Sequence, residues 1–310
     1  MSPNGRCQRK LPSAHPQTGL ALSRNSNSKT ATHPSTEETN LTNLTALYPE
    51  LAEARANWPV SIASEALAGK NILVTGAGAG IGEALAKTCA WFGANVILLG
   101  RTRSALESVF DWIRANTQTD PVIVPCDLER LDGDTITALH DAIGEHYTQL
   151  HGLVHNAGLL GQRVPIAHYP LQDWQRVMQV NATAPFMLNQ GLFTLLDHPE
   201  GSCIIHVSSG VGRTGKAYWG AYAASKFALE GLNQVLADET ETAGQIRVYS
   251  VDPGRTRTKM RSAAYPLEDP QTLPIAEHHM GLFLYLLTGM SPSHEQGAQL
   301  DARVWEPPAS

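Results

Sequence analysis

The stretch NILVTGAGAGIG, residues 71–82, decides the fold class of this chain. Its first five residues are a short and mostly β-branched run, which predicts a buried strand. The glycines that follow permit a tight turn, and residues 83–92 then show the apolar spacing of a helix. Such a turn aims backbone N–H groups at the helix N-terminus, where a pyrophosphate can bind. The stretch therefore predicts a dinucleotide-binding unit, with these candidate contacts: Thr75, Gly76, Gly80, Ile81 and Gly82.

From about residue 66 onward, short apolar runs alternate with longer stretches of helical spacing. Strands that alternate with helices in this way form a parallel sheet covered by helices on both faces. We therefore predict an α/β fold, with a doubly wound parallel sheet in a single Rossmann-type domain over residues 66–310. A helix is predicted over residues 104–116. The further predicted strands are Asn95–Leu99, Pro121–Val124, Leu150–His155, Cys203–Val207 and Ile246–Val251.

Residues 1–65 are predicted to be a largely disordered N-terminal extension. Its first 40 or so residues are rich in Ser, Thr, Asn and Pro and can bury too little apolar surface to offset the entropy of ordering. Scattered apolar residues within 41–58 allow one short helix. Two other interpretations stay open for the start: a transit peptide, which its prolines disfavour, and a start codon assigned upstream of the real domain.

Composition limits the classes of partner. The net charge of -6, from 23 basic and 29 acidic residues, argues against a broad nucleic-acid surface. No run approaches the roughly 18 apolar residues that a membrane span needs. The four cysteines lie far apart without zinc spacing, so we expect no metal site, no disulfide framework and a cytoplasmic location. The expected partner is a small molecule, with neither nucleic acid nor membrane.

The end of the second predicted strand bears on which dinucleotide binds. An acidic residue there accepts a hydrogen bond from the ribose 2′-OH of NAD and would repel the 2′-phosphate of NADP. Here the strand runs into Gly100-Arg101-Thr102-Arg103, and the first acid is Glu107. Arg101, helped by Arg103, could pair with a 2′-phosphate. We expect NADP(H) to be preferred over NAD(H), although a solvated loop arginine is the simpler alternative.

Tyr222 and Lys226 are four residues apart, so on a helix they share one face. A free tyrosine has a pKa of about 10, and a nearby ammonium would stabilise its phenolate and lower that pKa towards the working range. The lysine could also hold the nicotinamide ribose. This pair alone is a weak signal, because many solvated helices carry the same spacing.

Further motifs stand upstream in a fixed order: Asn156-Ala157-Gly158 and Ser208-Ser209 after apolar runs, with Asn181 between them. Together with the glycine turn and the Tyr-Lys pair, they make the chain resemble the short-chain dehydrogenase/reductase family from about residue 66 to the C-terminus. Within that family, the chain shows a closer resemblance to the YciK-type bacterial oxidoreductases, over residues 155–161, 219–227, 254–258 and 264–270. That group has no settled substrate.

The resemblance implies hydride transfer between a nicotinamide and a carbonyl or alcohol substrate. It implies that Tyr222 passes the proton, that Ser209, thirteen residues earlier, hydrogen-bonds the substrate oxygen, and that Asn181 holds a water linking Lys226 to solvent. Relatives generally form dimers or tetramers, so a homodimer or homotetramer is expected. The resemblance also implies cofactor contacts at Asp127, Leu128, Asn156, Ala157, Gly158, Pro253, Gly254 and Thr258.

Two departures from the family pattern are visible: the long N-terminal segment and a C-terminal strand that lacks the usual double glycine, ending in Asp301-Ala302-Arg303. Two other functions stay open, a protein that binds NADP(H) without chemistry and an α/β methyltransferase. The Tyr222 and Lys226 pair disfavours both. The sequence does not identify the substrate, which residues 159–169 and 259–273 are expected to enclose.

Overall fold

A computed structural model describes residues 43–242, 244–291 and 295–308 of the chain. Within them, seven parallel strands form one sheet in the order β3-β2-β1-β4-β5-β6-β7. The predicted doubly wound α/β fold is confirmed, and each predicted strand begins and ends within about two residues of the observed one. The strands are β1 (Asn71–Thr75), β2 (Asn95–Gly100), β3 (Val122–Pro125), β4 (Gly152–His155), β5 (Ser202–Val207), β6 (Ile246–Asp252) and β7 (Gln299–Asp301).

Helices cover both faces of this sheet. The longest, Gly220–Glu241, packs against β5 and β6 and carries the predicted Tyr-Lys pair. Chain order reverses between β1 and β4, and ligands of such sheets bind at the carboxyl ends of the strands beside that point. The helices are α1 (Pro49–Arg55), α2 (Gly80–Trp91), α3 (Arg103–Asn116), α4 (Gly133–Gly144), α5 (Leu171–Met178), α6 (Ala184–Gly191), α7 (Phe193–Leu196), α8 (Gly220–Glu241), α9 (Lys259–Ala264) and α10 (Met280–Thr288).

Each face of the sheet has its own apolar core, because side chains alternate between the two faces along every strand. Ile72 and Val74 of β1 join the core under α2, α3 and α10. Leu73, between them, joins the core under α4, α6 and α7. The interior strands are therefore buried almost throughout, as expected for a parallel sheet covered on both sides.

Residues 43–65 belong to the packed domain, whereas the sequence assigned them to the disordered extension. Leu44 and Leu51 are fully buried. The Tyr48 hydroxyl donates to Glu277 Oε1 at 2.7 Å, and the Trp58 indole N–H donates to the Glu277 carbonyl at 3.1 Å. A few well-spaced apolar residues suffice here because α2, α3 and α10 present an apolar surface to them. Residues 1–42 of the predicted extension lie outside the described residues.

The C-terminal strand forms without a double glycine: Gln299–Asp301 pairs in parallel with β6 as the last strand of the sheet. Over the described residues, no helix is both long enough and apolar enough to cross a membrane.

Candidate active site

A cavity of about 720 Å³ opens at the carboxyl ends of the strands, and its lining includes residues that follow β1 to β6. Volumes of this order are typical of sites for cofactors and small molecules. Most residues predicted to bind or react line this one cavity, namely Gly76, Gly80, Ile81, Arg101, Asp127, Leu128, Asn156, Ala157, Gly158, Ser209, Tyr222, Lys226, Pro253, Gly254 and Thr258.

The glycine turn follows β1 and opens α2, as predicted from its sequence. Gly76 and Gly80 have φ angles of 68° and 56°, in the left-handed region that favours glycine. A Cβ at Gly76 would lie 3.0 Å from the Ala157 Cα, so the turn and the segment after β4 are in tight contact. The N-terminus of α2 faces the cavity through Gly80 and Ile81 and is suited to an anion.

Thr75 and Gly82 are not among the described residues that line the cavity, although both were predicted to contact the cofactor. The Thr75 hydroxyl donates to the Val154 carbonyl at 3.2 Å and accepts from the backbone N–H groups of Asn156 and Ala157, each at 3.0 Å. A Cβ on Gly82 would overlap the Gly76 carbonyl oxygen. Both residues therefore stabilise the shape of the turn without lining the cavity themselves.

At the far end of the cavity, Arg101 follows β2 and is exposed on the lining. Asp127 follows β3, and its carboxylate accepts the Glu129 N–H at 3.2 Å, which fixes the short turn that carries Leu128. Arg103 was expected to help Arg101. Instead it forms an ion pair with Glu107 along α3, 2.9 Å from Nε to Oε1, and is not part of the described lining.

The Tyr-Lys pair lies on α8, on one face as predicted. Tyr222 and Lys226 are both buried, with exposed fractions of 8% and 3%. The Lys226 ammonium lies 5.7 Å from the centre of the Tyr222 ring and donates to the Val207 carbonyl at 2.7 Å. Ser209, two residues beyond that carbonyl, lines the same cavity and lowers the pKa of Tyr222. The three predicted reactive groups therefore meet where β5 ends.

The pKa of Tyr222 departs from the expectation that Lys226 would lower it. Burial raises the pKa of Tyr222 to about 12; the Ser209 side chain opposes this and the Asp252 carboxylate adds to it. Burial also lowers the pKa of Lys226 to about 8, against the attraction of Glu230 and Asp252. Desolvation dominates both residues, because the sheet end and α8 exclude water from them.

Asn181 lies in a π-helical turn, Gln179–Thr183, that joins α5 to α6, and it is 1% exposed. Its amide oxygen accepts the Leu159 N–H at 2.7 Å, and its amide nitrogen donates to the Leu159 carbonyl at 2.9 Å and to Ser225 Oγ at 3.0 Å. The side chain thus ties the segment after β4 to α8. It is not among the described cavity-lining residues, although it was expected to hold a water beside Lys226.

The segment after β6 contributes a carboxylate that was missed in the sequence. Asp252 is 4% exposed, lines the cavity, and accepts the Gly254 N–H at 2.9 Å. Its other oxygen lies 3.6 Å from an Arg303 nitrogen. Asp252 could have been found from the sequence, because it is an acid that stands between an apolar predicted strand and Pro253-Gly254. Further along, the Thr258 hydroxyl accepts the Arg261 N–H at 3.1 Å and caps α9.

Comparison with known proteins identifies the family. The family model described as short chain dehydrogenase matches residues 70–268. The chain belongs to the short chain dehydrogenase family. Among curated relatives of the family, the oxidoreductase YciK of Escherichia coli strain K12 is 45% identical over 237 residues, which are 76% of this chain and 93% of that protein. The predicted resemblance is confirmed, and the chain is an oxidoreductase.

Solved structures of the family agree with this assignment. A short chain dehydrogenase from Shigella flexneri 2a, complexed with NADP, is 44% identical, with a TM-score of 0.75 over 78% of this chain and all of that one. A second, from Escherichia coli CFT073 and complexed with NADPH, is also 44% identical, with a TM-score of 0.74 over 78% of this chain and 100% of that one.

Proposed function

We propose that this oxidoreductase transfers a hydride between NADP(H) and the carbonyl or alcohol carbon of a small molecule, with Tyr222 exchanging the proton. The observation that carries the proposal is the single cavity that joins Arg101 to Ser209, Tyr222 and Lys226. A dinucleotide laid along it would have its adenosine phosphate near Arg101 and its nicotinamide near Tyr222.

The residues present fit NADP(H). The left-handed glycines and the N-terminus of α2 offer backbone N–H groups to the pyrophosphate. At the end of β2, Arg101 provides a cation at the position where NAD-binding proteins of this fold carry an acid. Asp127, Asn156 and Thr258 line the same cavity. Asp127 and Asn156 would lie beside the adenosine, and Thr258 would lie beside the nicotinamide. Related structures in complex with NADP and with NADPH support the same cofactor.

In the proposed reduction, the bound cofactor supplies the hydride to the carbonyl carbon. Tyr222 stays protonated at neutral pH because burial raises its pKa to about 12, so it can donate its proton to the carbonyl oxygen. Ser209 donates a hydrogen bond to the same oxygen and positions it. Lys226 is charged below a pKa of about 8, and its ammonium stabilises the negative charge left on Tyr222. Asn181 holds Leu159 and Ser225 in place around this group.

The test is a panel of aldehydes and ketones assayed by loss of NADPH absorbance, with NADH in parallel. We expect turnover with NADPH and a lower kcat/KM with NADH. Tight NADPH binding without oxidation against any carbonyl would instead favour the second candidate, a protein that binds NADP(H) without chemistry.

We also propose that the protein forms a homodimer or homotetramer and acts in the cytoplasm. Phe186 on α6 exposes an apolar side chain, and so do Phe227 and Val235 on α8; a subunit contact could cover these side chains. Cys89, Cys126 and Cys203 are buried free thiols, which suits a reducing compartment. Light scattering of the purified protein would give the assembly, and a mass of one chain would contradict it.

A further inference from the structure

Three cationic side chains surround the ring of Tyr265, just beyond the catalytic end of the cavity. The Arg261 guanidinium lies 3.8 Å from the ring centre, that of Arg163 lies 4.9 Å away, and the Lys216 ammonium lies 5.8 Å away. Lys216 also donates to the Tyr265 hydroxyl at 3.2 Å. We call Arg163, Lys216, Arg261 and Tyr265 the cation cluster.

The positive charge of this cluster is only partly neutralised. Arg261 forms a two-pronged ion pair with Glu268, at 2.6 and 2.7 Å. Arg163 instead donates to the Ala264 carbonyl and stacks on Trp219 at 4.8 Å and on Tyr265. Over the described residues, neither Arg163 nor Lys216 has a carboxylate within ion-pair distance. Two like charges held beside one ring repel each other, and an anion bound between them would relieve that repulsion.

Trp219 connects the cluster to the reacting groups. Its ring centre lies 5.6 Å from that of Tyr222 and 6.0 Å from that of Tyr265, and Trp219 itself lines the cavity. A molecule whose carbonyl met Tyr222 would therefore need a chain of several atoms to reach the cluster, and that chain would pass beside Trp219.

The wall along this path is apolar. Trp219 and Tyr222 pack with Ala264, and Leu160 and Met260 pack against them. Such a surface suits a hydrocarbon or aromatic middle and offers few hydrogen-bond partners to a sugar ring.

We propose that the substrate is an oxo acid or the corresponding hydroxy acid. Its anionic group would bind Arg163 and Lys216, its apolar middle would lie along the wall that Leu160, Met260 and Trp219 form, and its carbonyl or alcohol would face Tyr222. The substrate class rests on the proposed function, because it assumes that Tyr222 marks the reacting carbon. Guanidinium groups bind carboxylates and phosphates through paired N–H donors, so the anion can be of either kind.

The experiment compares oxo carboxylates of increasing length with their methyl esters, and with oxo phosphates of matched length, as substrates for NADPH oxidation. The wild-type protein should prefer the anionic member by about tenfold or more in kcat/KM. Arg163→Gln and Lys216→Gln should each reduce that preference about fivefold while changing the ester values about twofold or less. Arg163→Lys should retain part of the preference. Arg114→Gln, on the distant helix α3, is the matched control and should leave the preference unchanged.

A second measurement separates this inference from the proposed function. Calorimetric titration of the NADP⁺-saturated protein with the same acids and esters reports binding without turnover. Binding of an acid that Arg163→Gln weakens would support the cluster even if no carbonyl were reduced, and the proposed function alone would then fail. Equal turnover or equal binding of acids and esters, or no binding of any acid, would overturn the inference.

Discussion

Replacing Lys226 by methionine should stabilise the protein and abolish its activity. The ammonium is 3% exposed and has no carboxylate within ion-pair distance over the described part of the chain. A buried charge that is held for catalysis costs folding free energy, and methionine fills a similar volume without a charge. The change therefore separates what the residue does for the fold from what it does for the reaction.

The expected change in the free energy of unfolding follows from the pKa of Lys226. Burial lowers it from 10.5 to about 8, and one pKa unit corresponds to about 1.4 kcal/mol. Keeping Lys226 charged at pH 7 thus costs about 3 kcal/mol. The variant also loses the hydrogen bond to the Val207 carbonyl, which lowers its free energy of unfolding by about 1 kcal/mol. We expect Lys226→Met to raise the free energy of unfolding by about 2 kcal/mol at pH 7.

The stability advantage of Lys226→Met should depend on pH. The folded pKa of Lys226 lies below the unfolded value, so the destabilisation is fully present below about pH 8 and disappears as the pH rises towards 10.5. In urea unfolding of both proteins at pH 7 and at pH 9.5, the advantage of the variant should fall from about 2 kcal/mol to less than about 1 kcal/mol.

Lys259→Met serves as the control, because Lys259 is exposed. Its stability should change by about 0.5 kcal/mol or less at either pH. A Lys226→Met variant that is less stable than wild type at pH 7, or whose advantage does not vary with pH, would refute the view that desolvation dominates this residue.

Three further changes test other parts of the structure. Arg101→Gln should raise the KM for NADPH about tenfold and leave that for NADH nearly unchanged, since it removes one charge-assisted contact with the 2′-phosphate; equal effects on both cofactors would contradict this. Gly82→Ala should lower the free energy of unfolding by about 2 kcal/mol because its Cβ meets the Gly76 carbonyl, while Gly231→Ala, with open space around it, should be neutral or stabilising in the same urea assay. Tyr48→Phe should lower the free energy of unfolding by about 1 kcal/mol through loss of the hydrogen bond to Glu277, and an unchanged unfolding midpoint would show that this hydrogen bond adds no stability.

Much of the fold was predictable because its determinants are local. The run Asn71–Thr75 is apolar and bounded by glycines, and it forms β1 with the predicted bounds. Tyr222 and Lys226 share a face because both lie on one helix, which fixes their relative direction from spacing alone. The glycine turn was likewise correctly placed between its strand and its helix.

The parts that could not be predicted depend on contacts distant in sequence. Residues 43–65 carry only scattered apolar residues, and their packing depends on Glu277 and on the apolar surface of α2, α3 and α10. The direction of the Tyr222 pKa depends on how much water α8 and the sheet end exclude, which spacing does not report. Asp252 became visible as a cavity residue only once β6 was placed beside β5.

The most direct measurement of the proposed chemistry is the turnover of Tyr222→Phe, with NADPH affinity determined on the same preparation. Removing only the hydroxyl should lower kcat by about a thousandfold or more with the best carbonyl of the panel. NADPH affinity should stay within about threefold, because the rest of the cavity is unchanged. A variant that binds NADPH normally and keeps most of its kcat would show that the proton comes from elsewhere.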